Sequence, residues 1–217
     1  LKLFIMQSTK KRSDVQVLRG VSIISVFLFH LNSSYFPNGY LGVDVFFIIS
    51  GYLISSILAK ESSIGFGTIL QFYQKRLKRI VPLYATVLFM ITISSILIFF
   101  SIDMDKVVRS MKWSMIFARN LQQIHDQSDY WSDSLEFPIL LHGWSLSVEI
   151  QFYIIAPFII LYSHNTPIRR FAIIATIFIG SMIIHIKSDE TYRFNSTWSR
   201  LWQFMIGFMV SELSSSK

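Results

Sequence analysis

The 217-residue chain carries 20 Lys and Arg against 13 Asp and Glu, a net charge of +7, yet charged residues make up 15% of it and apolar ones 52%. That charged share lies well below that of a soluble domain; with 20 Phe and a mean hydropathy of +0.48, the basic excess reads as charge flanking apolar spans and not as a nucleic-acid surface. The absence of Cys removes disulfides, thiolate metal sites and a thiol nucleophile together, which leaves any chemistry to oxygen and nitrogen groups.

A bilayer crossing takes about 20 mostly apolar residues, and residues 20–41, 40–59, 80–102 and 143–163 meet that requirement. Two weaker candidates follow: 171–186 is short, and 194–211 holds Arg200. The predicted fold class is therefore all-α, a polytopic transmembrane bundle of about six spans forming one membrane domain without internal repeats. The first apolar run lacks a small-residue cleavage site and is followed at once by another span, so it reads as a retained helix.

Orientation follows from Lys and Arg, which are enriched in cytoplasmic connections. Lys2, Lys10, Lys11, Arg12 and Arg19 precede the first span, and Lys60, Lys75, Arg76, Lys78 and Arg79 separate the second from the third. Both stretches, and the N-terminus, are assigned to the inside. Residues 103–141 are then an extracytoplasmic segment made acidic by Asp126, Asp129, Asp133 and Glu136. Within it, 107–121 is predicted to be an interfacial helix, because Arg109, Lys112 and Arg119 would be costly in hydrocarbon and because excluding it keeps Arg169 and Arg170 inside.

Few ionisable groups remain within the spans: His30, Asp44, Glu149 and Arg200, with Arg19 near the inner end of the first and His185 near the outer end of the fifth. At about 1.5 Å per residue, His30 lies about 16 Å along its helix from Arg19, in the outer half, and Asp44 and Glu149 sit roughly 6–10 Å below the outer ends of theirs. The three are expected at one level, where a carboxylate would fix the imidazole tautomer during proton abstraction. His30 as a packing histidine, and Asp44 and Glu149 as structural partners of Arg200 or Arg19, are the competing readings, and sequence position does not choose between them. Arg76 and Arg79 stand at i,i+3, either as a lipid anchor or as a pair of guanidinium forks for phosphate. No metal-ligand cluster is expected: His125, Asp126 and Asp129 read as a solvated acidic loop.

Several separated motifs give these residues a common context. Arg19-Gly-Val-Ser-Ile-Ile-Ser-Val-Phe-Leu-Phe-His30, Gly42-Val-Asp-Val-Phe-Phe-Ile-Ile-Ser-Gly51-Tyr-Leu-Ile, Phe72-Tyr-Gln-Lys-Arg76-Leu-Lys-Arg79-Ile-Val-Pro82 and His142-Gly-Trp-Ser-Leu-Ser-Val-Glu149-Ile-Gln-Phe-Tyr153 occur in that order, with Arg200 and Gly207 in a weaker last segment. The ordered set, over nearly the whole chain, resembles acyltransferase family 3, integral-membrane O-acyltransferases acting on bacterial glycans and related acceptors. Gly143, where an aromatic is common, and Ile150, where an acid is common, depart from its pattern. The family domain usually has about ten spans, so the resemblance implies that the chain is a portion of it, incomplete at the C-terminal side; a start at Leu1 instead of Met agrees.

The resemblance implies an acyl-CoA donor, acetyl-CoA above all, no metal, and a hydroxyl acceptor on a carbohydrate or glycolipid, at the cytoplasmic membrane of a bacterium. His30 would be the general base, with Asp44 or Glu149 orienting it or the acceptor. Arg19, Arg76 and Arg79 would hold the CoA phosphates, and Trp144, Ser145 and Arg200 the substrate, with Ser145 an alternative covalent acyl carrier. Trp144, Trp198 and Trp202 otherwise read as an interfacial aromatic belt. The lipid bilayer is the expected partner and nucleic acid is not; the sequence leaves oligomeric state open. Two other classes fit the isolated residues, a proton-coupled transporter using His30, Asp44 and Glu149 as a relay, and a non-catalytic scaffold; Arg76 and Arg79 beside a membrane His are what a relay does not require.

Overall fold

A computed structural model describes residues 13–58, 65–98, 104–126, 140–163 and 166–215. The basic residues Lys2, Lys10, Lys11, Arg12 and Lys60 and the acidic residues Asp129, Asp133 and Glu136 lie outside the described residues. Among the described residues all regular structure is helical: α1 (Ser13–Leu31), α2 (Leu41–Leu58), α3 (Phe66–Ile98), α4 (Met104–Met115), α5 (Arg119–His125), α6 (Gly143–Ser163), α7 (Pro167–Lys187), α8 (Glu190–Asn195) and α9 (Thr197–Ser215). The chain is an all-α polytopic helical bundle, in which five of these helices, α1, α2, α3, α6 and α7, are long and apolar enough to cross a membrane.

Local chemistry sets the boundaries that hydrophobicity alone misses. The first predicted span merged with the second, whereas α1 ends at Leu31. There the Asn32 side chain accepts the backbone N–H groups of Ser34 and Tyr35, both at 3.1 Å, and so turns the chain through residues whose aromatic side chains had extended the apolar run. α3 starts 14 residues before its predicted span, because the basic run from Lys75 to Arg79 continues the helix and does not interrupt it. Its 33 residues correspond to about 50 Å, well beyond the ~30 Å of hydrocarbon. α7 opens with Pro167 after a Thr166 cap that accepts Arg169 N–H at 3.2 Å, and α8 with Asp189 accepting Tyr192 N–H at 3.0 Å.

The single helix expected over 107–121 is two helices, α4 and α5, broken at Phe117, whose φ of 52° lies in the left-handed region. A bulky residue tolerates that conformation only when held from several sides. The Phe117 ring stacks on Tyr84 with centroids 4.8 Å apart, and its carbonyl accepts Gln151 Nε2–H at 3.1 Å. The break turns α5 inward, so that Arg119, Asn120 and Gln122 are buried.

The sixth expected span is divided at Ser196 into α8 and α9. α9 falls outside the set of membrane-length apolar helices; it carries Arg200, Gln203 and Glu212 and makes its largest contact with α2, then with α7. Close approach of α2 and α9 depends on two glycines: a Cβ on Gly51 would collide with the Phe204 carbonyl, and one on Gly207 with the Ile48 carbonyl and the Tyr52 N–H. Small residues at such crossings let helix backbones meet where apolar burial alone gives little preference over lipid. Beside this crossing Phe152 stacks on Phe204 (3.9 Å), and Phe204 on Phe47 (4.8 Å), to form the aromatic centre of the core. Glu212 near the far end of α9 pairs with Arg170 of α7 at 3.0 Å.

Candidate active site

The C-terminal half of α1 and the N-terminal turns of α2 and α6 meet α7, α8 and α9 around a cavity of roughly 670 Å³. His30, Asp44, His142, Trp144, Ser145 and Arg200 all contribute to its walls. His30 Nδ1 lies 2.7 Å from the Val26 carbonyl oxygen one turn earlier. A carbonyl only accepts, so Nδ1 carries the ring proton and Nε2 is the basic nitrogen. The helix itself fixes the tautomer expected of a carboxylate partner.

His142, given no role in the sequence reading, stands against His30 with ring centroids 4.5 Å apart and planes 89° to one another. It lies one residue before α6 and so outside the apolar run that defined the span. Burial, and secondarily the neighbouring His30, push its pKa below the ordinary imidazole value, as expected of two groups that are unfavourable as adjacent cations. His185 is a third imidazole in the cavity wall, with Nδ1 3.2 Å from the Ser199 carbonyl.

Asp44 and Arg200 form the charged pair of the site. Arg200 Nη1 donates to Asp44 Oδ1 at 2.8 Å and Nε to the Phe194 carbonyl. The guanidinium carbon lies 4.9 Å from the ring centres of both Trp144 and Phe194, and 5.9 Å from that of Phe47. Arg200 is 6% exposed. An ion pair in this setting is stable only with its remaining polar and aromatic contacts intact. Trp144, expected as a belt or substrate-holding residue, is buried against Arg200 as well as lining the cavity; Trp198 is exposed. Ser145 Oγ bonds the His142 carbonyl at 3.4 Å.

The expected single level of His30, Asp44 and Glu149 is split in two. Glu149 lies outside the cavity wall: its Oε1 accepts the hydroxyls of Ser50 and, at 2.5 Å, Tyr153. Ser50 is six residues beyond Asp44 on α2, about 9 Å deeper by helical rise. Arg76 joins this second cluster, its guanidinium 5.0 Å from the Tyr153 ring centre and 5.6 Å from that of Phe72. Arg79, three residues on, is exposed, and Arg19 is partly buried on α1. The guanidinium groups of Arg76 and Arg79 thus have different environments. Among the described residues no group of three or more His, Cys, Asp or Glu is placed to hold a metal. His125 and Asp126 instead form an exposed cluster with Arg109, whose Nη2 is 2.5 Å from Asp126 Oδ1.

Helices of membrane length around a largely apolar cavity whose wall holds imidazoles, a carboxylate and a buried guanidinium define a polytopic membrane protein with a site equipped for proton transfer. The chain belongs to the Acyltransferase domain family, which it matches over residues 12–214. It is similar to O-acetyltransferase OatA of Staphylococcus aureus, with 34% identity over 223 aligned residues in the proteins of strains NCTC 8325 / PS 47, COL and MRSA252. Each alignment covers 95% of this chain and 35% of the relative, so the chain spans about a third of the length of these proteins. No solved structure matches.

Proposed function

We propose that the chain is the membrane part of an O-acyltransferase that moves an acyl group, acetyl by the names of its relatives, from acyl-CoA to a hydroxyl of a carbohydrate or glycolipid in the cytoplasmic membrane of a bacterium. The observation that carries this proposal is His30, whose Nδ1 is committed to the Val26 carbonyl while its ring lines a cavity it shares with the Asp44–Arg200 pair.

In the proposed reaction His30 Nε2 takes the proton of the acceptor O–H as that oxygen attacks the thioester carbonyl carbon. A C–O bond forms, the C–S bond breaks, and CoA leaves as a thiolate that is neutralised by the proton on the imidazolium. Asp44, partly exposed and held by Arg200, accepts from the acceptor hydroxyl or orients it, and Trp144 and Ser145 bound the same space. Arg19, Arg76 and Arg79 bind the CoA phosphates on the side where the N-terminus lies, the cytoplasm. Glu149, bonded to Ser50 and Tyr153 beside Arg76, holds the helices along which the pantetheine arm runs between the phosphate site and His30.

Acetyl-CoA cleavage and acceptor acetylation by membranes containing the full-length protein test the reaction. Both activities are expected to fall together in His30→Gln. Unchanged cleavage in that variant, with the protein present at its normal level, would remove His30 from the chemistry.

A further inference from the structure

A buried polar atom left without a hydrogen bond is costly because it has given up water for nothing, and each such atom calls for an explanation. Among the described residues, partnerless buried atoms include Ser95 Oγ, Gln122 Oε1, Arg170 Nε, Asn195 Oδ1, Trp202 Nε1 and Gln203 Oε1. Most are scattered, but Trp202 and Gln203 are consecutive on α9 and line the same cavity as His30, Asp44 and Arg200. Gln203 is 1% exposed. It stands three residues from Arg200, so the two occupy one helical face.

Trp202 and Gln203 are of opposite sense: Trp202 Nε1–H can only donate, and Gln203 Oε1 only accepts. The neighbouring charge is already compensated, since Arg200 is paired with Asp44. A neutral group carrying both an N–H or O–H and an oxygen fits such a lining better than an anion or a cation does.

We propose that Gln203 is a ligand-binding residue of the acyl-transfer site, its carboxamide accepting a hydrogen bond from an N–H or O–H of the molecule that fills the cavity while Trp202 Nε1–H donates to an oxygen of the same molecule. This rests on the acyl-transfer function proposed above. Two substrates of that reaction supply the chemistry: the pantetheine arm of acyl-CoA, through its amides, and the acceptor sugar, through its hydroxyls. A site with a buried acceptor discriminates against analogues that lack the matching donor, because the unmet group is then left unpaired.

The test is Gln203→Met in the full-length protein in membranes, which keeps side-chain length and apolar volume but removes the carboxamide. The expected result is a thermal midpoint unchanged or raised, since no protein hydrogen bond is lost, together with a KM raised about 5- to 100-fold for one substrate. Trp202→Phe, which deletes the indole N–H, is expected to raise the same KM by a smaller factor. A rise confined to acyl-CoA assigns the pantetheine amide as donor; a rise confined to the acceptor assigns a sugar hydroxyl. A lowered midpoint with both KM values unchanged overturns the proposal and makes Gln203 a packing residue. Unchanged KM values at an unchanged midpoint overturn it too, while leaving acyl transfer intact. Wild-type protein that cleaves no acyl-CoA overturns the functional proposal itself, and this one with it.

Discussion

Two polar regions lie within the helical bundle and are built on opposite terms. Where α5, α6 and the start of α9 meet, Asn120 Nδ2 donates to Gln151 Oε1 (3.2 Å) and to the Asn195 carbonyl (3.0 Å), Gln151 Nε2 returns a bond to Asn120 Oδ1 (2.9 Å), and Thr197 Oγ1 also donates to Gln151 Oε1. That network is closed: the two carboxamides satisfy each other and the backbone, and it pins the break at Phe117. The cavity between α1, α2 and α9 is open: an imidazole whose tautomer is set by its own helix, a guanidinium bonded on one side to Asp44, and two partnerless atoms on Trp202 and Gln203. Buried polar groups that complete one another specify a fold, whereas groups left incomplete around a space specify what enters it.

The sharpest way to break this contrast is to remove the base. His30→Gln is expected to lower acyl transfer by about 10²- to 10⁴-fold, the usual contribution of a positioned general base, with the protein still folded by its thermal midpoint. Asp44→Asn comes next. It leaves the Arg200 guanidinium, 6% exposed, without its anionic partner, at an expected cost of 3–5 kcal/mol, roughly, in denaturant titration of the detergent-solubilised protein. Asp44→Asn with Arg200→Gln should recover part of that loss, because no unpaired charge remains; a double variant as unstable as the sum of the singles would mean that the pair is not coupled.

The closed network should fail differently. Gln151→Leu removes the bonds to Asn120 Oδ1, the Thr197 hydroxyl and the Phe117 carbonyl, and is expected to destabilise by about 1–3 kcal/mol while leaving both KM values of the folded fraction unchanged. A KM shift in Gln151→Leu without loss of stability would erase the distinction between the two regions.

How far each region could be read in the sequence follows from the range of the interactions. The apolar runs were legible because a crossing helix must be apolar over most of its length, and α2 and α6 follow their predicted spans closely. The turn at Asn32 was hidden by Tyr35, Phe36 and Tyr40, which count as apolar although the Asn32 side chain organises the backbone there. Asp44 and Arg200 stand out as costly charges, and a pair between them is one of the readings that the sequence leaves open and the contact bears out; the sequence does not choose it, because the positions lie 156 residues apart and no periodicity reports a contact of that range. Glu149 falls deeper than Asp44 because a depth counted from each span's own end takes the helix starts to be level, whereas Glu149 bonds Ser50, six residues beyond Asp44 on α2. Gln151, Gln203 and Asn120 attracted no attention because a carboxamide in a helix has no signature until its neighbours are known.

His142 offers the smallest effect and the finest comparison, since it touches the open region without belonging to an apolar span. Its pKa is lowered in the folded protein, first by burial and then by His30, so between the folded and unfolded values the unfolded chain binds more protons. Stability should therefore rise with pH through that window. The neutral ring's contribution is complete above the ordinary imidazole value of about 6.5 and is lost as pH falls through the lower folded value. Thermal midpoints of wild type and His142→Gln, measured from pH 7.5 down to 5, are expected to diverge on the acid side, the wild type falling more steeply. Parallel curves would mean that His142 is solvated in the folded protein and that the close approach of the two rings has no electrostatic consequence. Divergence would instead show that the folded protein disfavours the charged form of His142, as burial at this end of the cavity requires.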